Sequence, residues 1–329
     1  MTLLFAAPSA PMVSDFCFRT QPPDHISPMR PVMNATATTS QLPTCIENKI
    51  RYQIANIQML PAIATQALNI AKDPECTIDR FSQVIERDVK LAADILALAN
   101  SSMYSPGVSI CSLHKAVVHL GFRQTMNLIF TSSLKATMSR VTMQDEWVRE
   151  VLWRHSFTTA MFCMHINRAL NIGFQGEEFT AGLMHDFGRV LLAVSVPEQF
   201  SAFDSMEFNE SSDTLAHERF TVGTDHCEVG AWFAVSNQLP EPLIDVICYH
   251  HTPEAATRNL RLVALTATAD HMANHLQRCD EVDSYDLATN SAVHLLESSG
   301  VRHAAERLRE VGPSIIEATA ADAAEMMNC

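Results

Sequence analysis

Seven side chains whose types hold divalent metal ions fall on or beside the inward stripes of predicted helices: His155, His185, Asp186, His226, His250, His251 and Asp270. Neutral imidazoles and carboxylates suit Fe, Mn, Zn or Mg, with no thiolate required. Five imidazoles and two carboxylates are enough for one or two ions, and Asp186 is the natural bridge between two. Two ions that share a water lower its pKa and can clamp a phosphoryl group. Taken singly, His155 or His226 reads more simply as a core histidine bonded to a backbone carbonyl. The adjacent pair His185-Asp186 is harder to explain that way, because it interrupts the apolar run from Phe179 to Leu192. A carboxylate taken out of water without a partner is costly, so such a pair must be ion-paired, hydrogen-bonded or metal-bound.

Positioning these groups falls to helices. From Ile50 onward the apolar pattern has the helical period almost without interruption. Asp145 to Leu170 is the longest such segment, with Val148, Val151, Leu152, His155, Thr159 and Phe162 on one face. The run through His185-Asp186 predicts one apolar helix with the pair in its middle, ended by Pro197. Asp225 and Glu228 have capping-box spacing and open a helix carrying His226. Pro240 and Pro242 introduce Leu243, Ile247 and His250 at helical spacing, with His251 next. Arg261 to Leu276 aligns Val263, Ala267 and Asp270. In the N-terminal half, Pro61 suits a first helical position, and Thr77, Asp88 and Ser112 suit N-caps. Asn100 to Gly107 reads as a loop, Gly121 as a helix stop, and Ser201 to Asp213 as a polar loop.

The 329 residues allow one large or two modest domains. Scarce glycine and abundant Ala, Leu, Ile and Met favour an all-α fold. A formal charge of -14 argues against a nucleic-acid backbone as the main partner, since phosphate binding needs a basic face. Nine cysteines, an odd number with no C-x-x-C pair, fit a reducing compartment. No apolar run reaches membrane-spanning length, and Met1 to Ala10 lacks a basic leader; the expectation is a cytoplasmic chain without a membrane partner. Residues 1–48 hold seven of the fifteen prolines and read as a disordered tail. Helical subdomains are expected at 50–140 and 141–280, within one domain of 49–280, followed by C-terminal helices over 281–329.

Other chemistry-bearing residues have simpler readings. His271 and His275 have i, i+4 spacing but lack a third ligand, which favours a solvated face. Cys227 reads as a small buried filler, and Trp147, Trp153 and Trp232 as core anchors. Ser156 and Ser195 sit in no nucleophile elbow.

The order of a histidine, a His-Asp pair some thirty residues later, further histidines and a final aspartate resembles the HD superfamily of metal-dependent phosphohydrolases. The fuller resemblance is to the HDOD family, the HD-related output domain of bacterial signalling proteins, from about Ile54 to about Met272. It is carried by Leu60 to Ile63 (LPAI), Leu96 to Tyr104 (LALANSSMY), Leu113 to Phe122 (LHKAVVHLGF) and Trp153 to Ser156 (WRHS). Leu183 to Val190 (LMHDFGRV), Asp225 to Trp232 (DHCEVGAW) and Tyr249 to Glu254 (YHHTPE) complete it. The resemblance implies an HD-type helical bundle and a regulatory module acting through other signalling proteins, with a retained metal or nucleotide site. The alternative it implies is a metal-dependent phosphohydrolase acting on a nucleotide or cyclic dinucleotide. There His155, His185, Asp186 and Asp270 would hold one ion, and His226, His250 and His251 a second; Arg189 would hold substrate phosphate. Two departures weigh against that alternative. The Gly-Tyr-Pro motif of cyclic-dinucleotide phosphodiesterases is missing after His250-His251, and Arg189 stands where they carry lysine, which is not an equivalent anion ligand.

Overall fold

A computed structural model describes residues 42–57, 62–71, 73, 75–100, 107–204, 206–208, 213–278 and 284–327, all within the compact unit Thr39–Cys329. Most of the expected tail, Pro61 and the Ser101–Tyr104 part of the LALANSSMY stretch lie outside the described residues. Every regular element among the described residues is a helix. None is long and apolar enough to cross a membrane.

The first group is α1 (Thr44–Asn56), α2 (Ala62–Ala71), α3 (Ile78–Ile85), α4 (Val89–Ala99) and α5 (Leu113–Arg140). α1 begins inside the segment read as tail, which shortens that segment, and it packs on the helix after Asp186. The N-caps fall where their side chains predict: Thr77 accepts from the Arg80 amide at 3.2 Å, Asp88 from Leu91 at 3.0 Å and Ser112 from Lys115 at 3.4 Å. Phe81, Ile85, Leu91, Ile95, Val117 and Leu128 form the core of this group. Gly121 breaks α5 with φ 78° and ψ 166°, a conformation essentially confined to glycine.

The second group starts with α6 (Glu146–Leu170), α7 (Glu177–Met184), α8 (Phe187–Ser195) and α9 (Pro197–Phe203). It continues with α10 (Thr214–Val222), α11 (His226–Ser236), α12 (Glu241–Tyr249), α13 (Leu260–Arg278), α14 (Ala292–Ser298) and α15 (Ala304–Met327). The central element is α6, which packs on α7, α13 and α15. Its continuous buried stretch from His155 to Met164 follows from being covered on most sides. One core joins α1, α6, α7, α8 and α11; another joins α6, α13, α14 and α15.

Several expectations need correction. The apolar run through His185-Asp186 is two helices, not one: Asp186 takes φ -100° and ψ 11°, and the axis changes there. Each half makes its own close approach. A Cβ on Gly182 would stand 2.6 Å from the Ala160 Cα of α6, and one on Gly188 would stand 1.8 Å from the His226 carbonyl oxygen of α11. The break lets α7 lie on α6 while α8 lies on α11. α8 ends at Ser195, and Pro197 opens α9, where its missing N–H costs nothing. Trp147 is an exposed residue rather than a core anchor, since it sits in the first turn of α6 outside the packed face. Trp153 and Trp232 do pack on the core, and the Arg51 guanidinium lies 4.8 Å over the Trp232 ring.

Candidate metal centre

Five segments converge on one buried point: α6 supplies His155, the α7–α8 junction His185 and Asp186, α11 His226, the end of α12 His250 and His251, and α13 Asp270. All are buried except His251, which is half-buried. They fall into two groups, each with ligand atoms within 4.8 Å of one another: His155, His185 and Asp270, and Asp186, His226, His250 and His251. In the first, the Asp270 Oδ1 lies 3.0 Å from His155 Nε2 and 3.4 Å from His185 Nε2. In the second, His226 Nε2 lies 3.3 Å from His250 Nε2 and 3.0 Å from His251 Nε2. Asp186 stands between them. Its Oδ2 faces His155 and His185 at 3.5 and 3.6 Å, and its Oδ1 faces His226 and His250 at 3.4 and 3.3 Å.

The outer ring nitrogens fix what the inner ones present. His185 Nδ1 donates to the Gly182 carbonyl at 2.7 Å, and His250 Nδ1 meets the Val246 and Ile247 carbonyls at 3.2 Å. His226 Nδ1 meets both oxygens of the buried Glu218 at 2.8 and 2.9 Å. His155 Nδ1 donates to Gln277 Oε1 at 2.9 Å, and that amide is oriented by its own Nε2 bond to the Val151 carbonyl at 3.4 Å. With four Nδ1–H groups committed to oxygen acceptors, the inward Nε2 atoms are where a proton can be exchanged for a metal ion. Without a cation, protons there serve the two carboxylates, and against the pull of burial the anionic neighbours of His155, His226 and His250 favour their charged form. A cation that displaces those protons turns the same nitrogens into ligands. The Asp186 Oδ1 is also a buried oxygen without a hydrogen bond. The donor set and this orphaned oxygen both fit divalent ions.

Electrostatics keep the carboxylates ionised. Burial pushes the Asp186 carboxyl up, but the charges of His185 and Arg189 outweigh it and hold it well below the usual range. Burial opposes ionisation of Asp270 too, and its hydrogen bonds to His155 and His185 win. Burial and the neighbouring His250 and His226 press His251 toward its neutral, ligating form.

Arg189, expected from the resemblance to hold substrate phosphate, instead bonds the Asp186 Oδ2 through Nη1 at 3.0 Å and grips Asp204 through Nε and Nη2 at 2.9 Å each. The other residues around the His/Asp cluster were missed by sequence reasoning. Phe208, in the stretch expected to be a polar loop, is buried; its ring stacks on His155 at 4.5 Å, and the Arg189 guanidinium lies 4.6 Å over it. Phe208 was the visible signal, an aromatic residue in a polar run. Glu218 and Gln277 carried none. Cys227 is buried, as expected of a filler, and its Sγ lies 4.0 Å from His250 Nδ1. His271 and His275 do not form a solvated face: His275 is buried, and both rings pack on Tyr285 at 5.7 and 5.0 Å.

An all-helical bundle that gathers imidazoles and carboxylates around a His-Asp junction is an HD-type fold. The HDOD domain model matches residues 57–253, more than half of the chain, and the chain belongs to the HDOD family. A Geobacter sulfurreducens HDOD domain protein of unknown function superposes with a TM-score of 0.67 at 27% identity, covering 84% of this chain and 97% of that one. A candidate metal-dependent phosphohydrolase from Shewanella amazonensis SB2B shares the fold at a TM-score of 0.54 and 17% identity, covering 84% of this chain and 99% of that one. An uncharacterized protein of Treponema pallidum (strain Nichols) is 24% identical over 229 residues. That match takes in 69% of this chain and 44% of the relative, so the chain spans less than half of the relative's length.

Proposed function

We propose that this chain is a signal-transduction module of HDOD type whose His/Asp centre holds divalent metal ions and which acts through contacts with other signalling proteins. His155, His185 and Asp270 would hold one ion, His226, His250 and His251 a second, with Asp186 between them. The observation that carries the regulatory reading is the state of Arg189. Its guanidinium, the group that would take substrate phosphate, is bonded to Asp186 and Asp204 and lies against Phe208. Freeing it would expose two buried carboxylates, a step that costs more than a typical anion contact returns. Phe208 also covers one face of the His155 ring by stacking on it.

The completeness of the ligand set favours a second reading, metal-dependent phosphohydrolysis of a nucleotide or cyclic dinucleotide. Divalent ions in the centre would supply Lewis acidity and an acidified water. The chain's own part would be to hold the four imidazoles in one tautomer, to keep Asp186 and Asp270 ionised, and to release Arg189 from Asp204 for the phosphate.

Metal analysis of protein purified without chelator, followed by a screen of phosphomonoester, nucleotide and cyclic-dinucleotide substrates with Mn²⁺ or Fe²⁺, separates the readings. The expected result is bound metal, lost in Asp186→Ala, and no turnover. Turnover that Asp186→Ala abolishes would establish the hydrolase instead. Folded protein that takes up no metal would remove both.

A further inference from the structure

The C-terminal end of α6 lies fifteen residues from His155, about 22 Å along the helix. There Asn171, the left-handed C-cap of α6, borders a cleft of about 340 Å³ with Arg261, Gly300, Arg302 and Arg307. We propose that this cleft binds the phosphate of a small phosphate monoester, at a site separate from the metal centre.

Three guanidinium groups share this cleft in a chain of net charge -14. Two are pinned by backbone carbonyls rather than by carboxylates. Arg261 donates to the Ser299 oxygen through Nε at 3.1 Å and Nη2 at 2.6 Å, and Arg307 Nη2 donates to the Ala169 oxygen at 2.9 Å. Each guanidinium carries five N–H donors, so most remain available. Gly300 makes the first of these bonds possible: at φ +100° it turns the chain, and a Cβ there would stand 3.0 Å from Arg261 Nη2. Arg302 is exposed and has no side-chain bond to any described residue. None of the three pairs with an acidic side chain among the described residues.

Gathering like charges without a counter-charge is unfavourable unless an anion completes the set. A guanidinium fork matches phosphate oxygens bidentately, which a point charge does not. The volume is at the low end for small-molecule sites, enough for a phosphoryl group and too small for a folded partner. Asn171 also lines a second cleft of about 640 Å³, walled by Arg168, Phe122 and Phe174. That space suits the organic body of the ester, with the half-buried Phe122 and Phe174 as apolar walls. A mononucleotide has both parts.

Isothermal titration of the full chain with adenosine 5′-monophosphate, inorganic phosphate and adenosine tests this. We expect the two phosphates to bind and adenosine not to. Arg302→Gln should weaken both phosphates by at least about tenfold, the worth of one charge-assisted hydrogen bond. Arg302→Lys should fall between, because it keeps the charge and loses the fork. Arg302 supports no other group, so both variants should keep the parent's metal content and thermal midpoint. The proposal is overturned by any of three results: no phosphate binding up to about 10 mM, binding unchanged in Arg302→Gln, or binding abolished by Asp186→Asn instead, which would put the anion at the metal centre.

Discussion

The acceptors behind the histidines decide which lone pairs face the centre. Glu218 is the only carboxylate among them, and it bonds both the ring and the backbone N–H of His226. Outer partners of this kind are worth about 10- to 100-fold in metal affinity. Glu218→Gln, which keeps one acceptor and loses the charge, should weaken binding by about tenfold, and Glu218→Ala by about a hundredfold, in competition against a chromogenic chelator. Unchanged affinity in both would show that the tautomer is set elsewhere. Glu178 makes a separate prediction. Burial raises its carboxyl pKa, even though Asn167 and the Gly176 amide bond its two oxygens at 2.9 and 2.6 Å. Its contribution to stability is therefore fully present below the unfolded value of about 4.3 and is lost as pH rises through the folded value. Relative to Glu178→Gln, the parent should lose urea resistance between about pH 4 and neutrality; a pH-independent difference would contradict this. That His155, His185, Asp186, His226, His250, His251 and Asp270 converge was legible from residue type and order. Their supports were not: Gly182, Val246 and Ile247 contribute only carbonyls, which every residue has, and nothing distinguishes Glu218 from a surface acid.

At the scale of elements, the junction between α7 and α8 sets the register of the whole site. Leu183 to Val190 is apolar on both sides of Asp186, so periodicity could not reveal the break. What did not show in the pattern is that Gly182 and Gly188 serve different neighbours. Gly188→Ala would drive a methyl into the His226 carbonyl and push α8 from α11. The expected cost is about 2 kcal/mol or more by urea unfolding, with a loss of bound metal, because His226 and Asp186 separate together. A variant as stable as the parent would mean that the two helices slide without penalty. By contrast, the caps at Thr77, Asp88, Ser112 and Asp225 were readable, because each acts on an amide three residues away. Trp147 shows the limit of composition: a large apolar residue in the first turn of a helix has nothing to pack against.

Across the whole molecule, the His/Asp centre brings α6, the α7–α8 junction, α11, α12 and α13 together, and the proposed metal would tie them there. A ligand that binds only the folded chain adds about 2.7 kcal/mol at a hundred times its dissociation constant. Chelation should accordingly lower the thermal midpoint by roughly 4 °C for a chain of this size, and Mn²⁺ or Fe²⁺ should restore it. A midpoint indifferent to chelator would mean that the cores alone hold these helices in place. The all-α architecture was readable from composition and period. The start of α1 was not, because Pro43 resembled the prolines before it, although it serves here as the residue that admits a helix.

The convergence of five distant segments also constrains the chain's birth. His155 leaves the ribosome more than a hundred residues before Asp270, on the order of ten seconds earlier at ordinary synthesis rates. Until Asp270 emerges, the half-built site offers imidazoles to any passing ion without the carboxylate that closes it. On the metal-binding reading, ions met during those seconds compete for the imidazoles before that carboxylate can select among them.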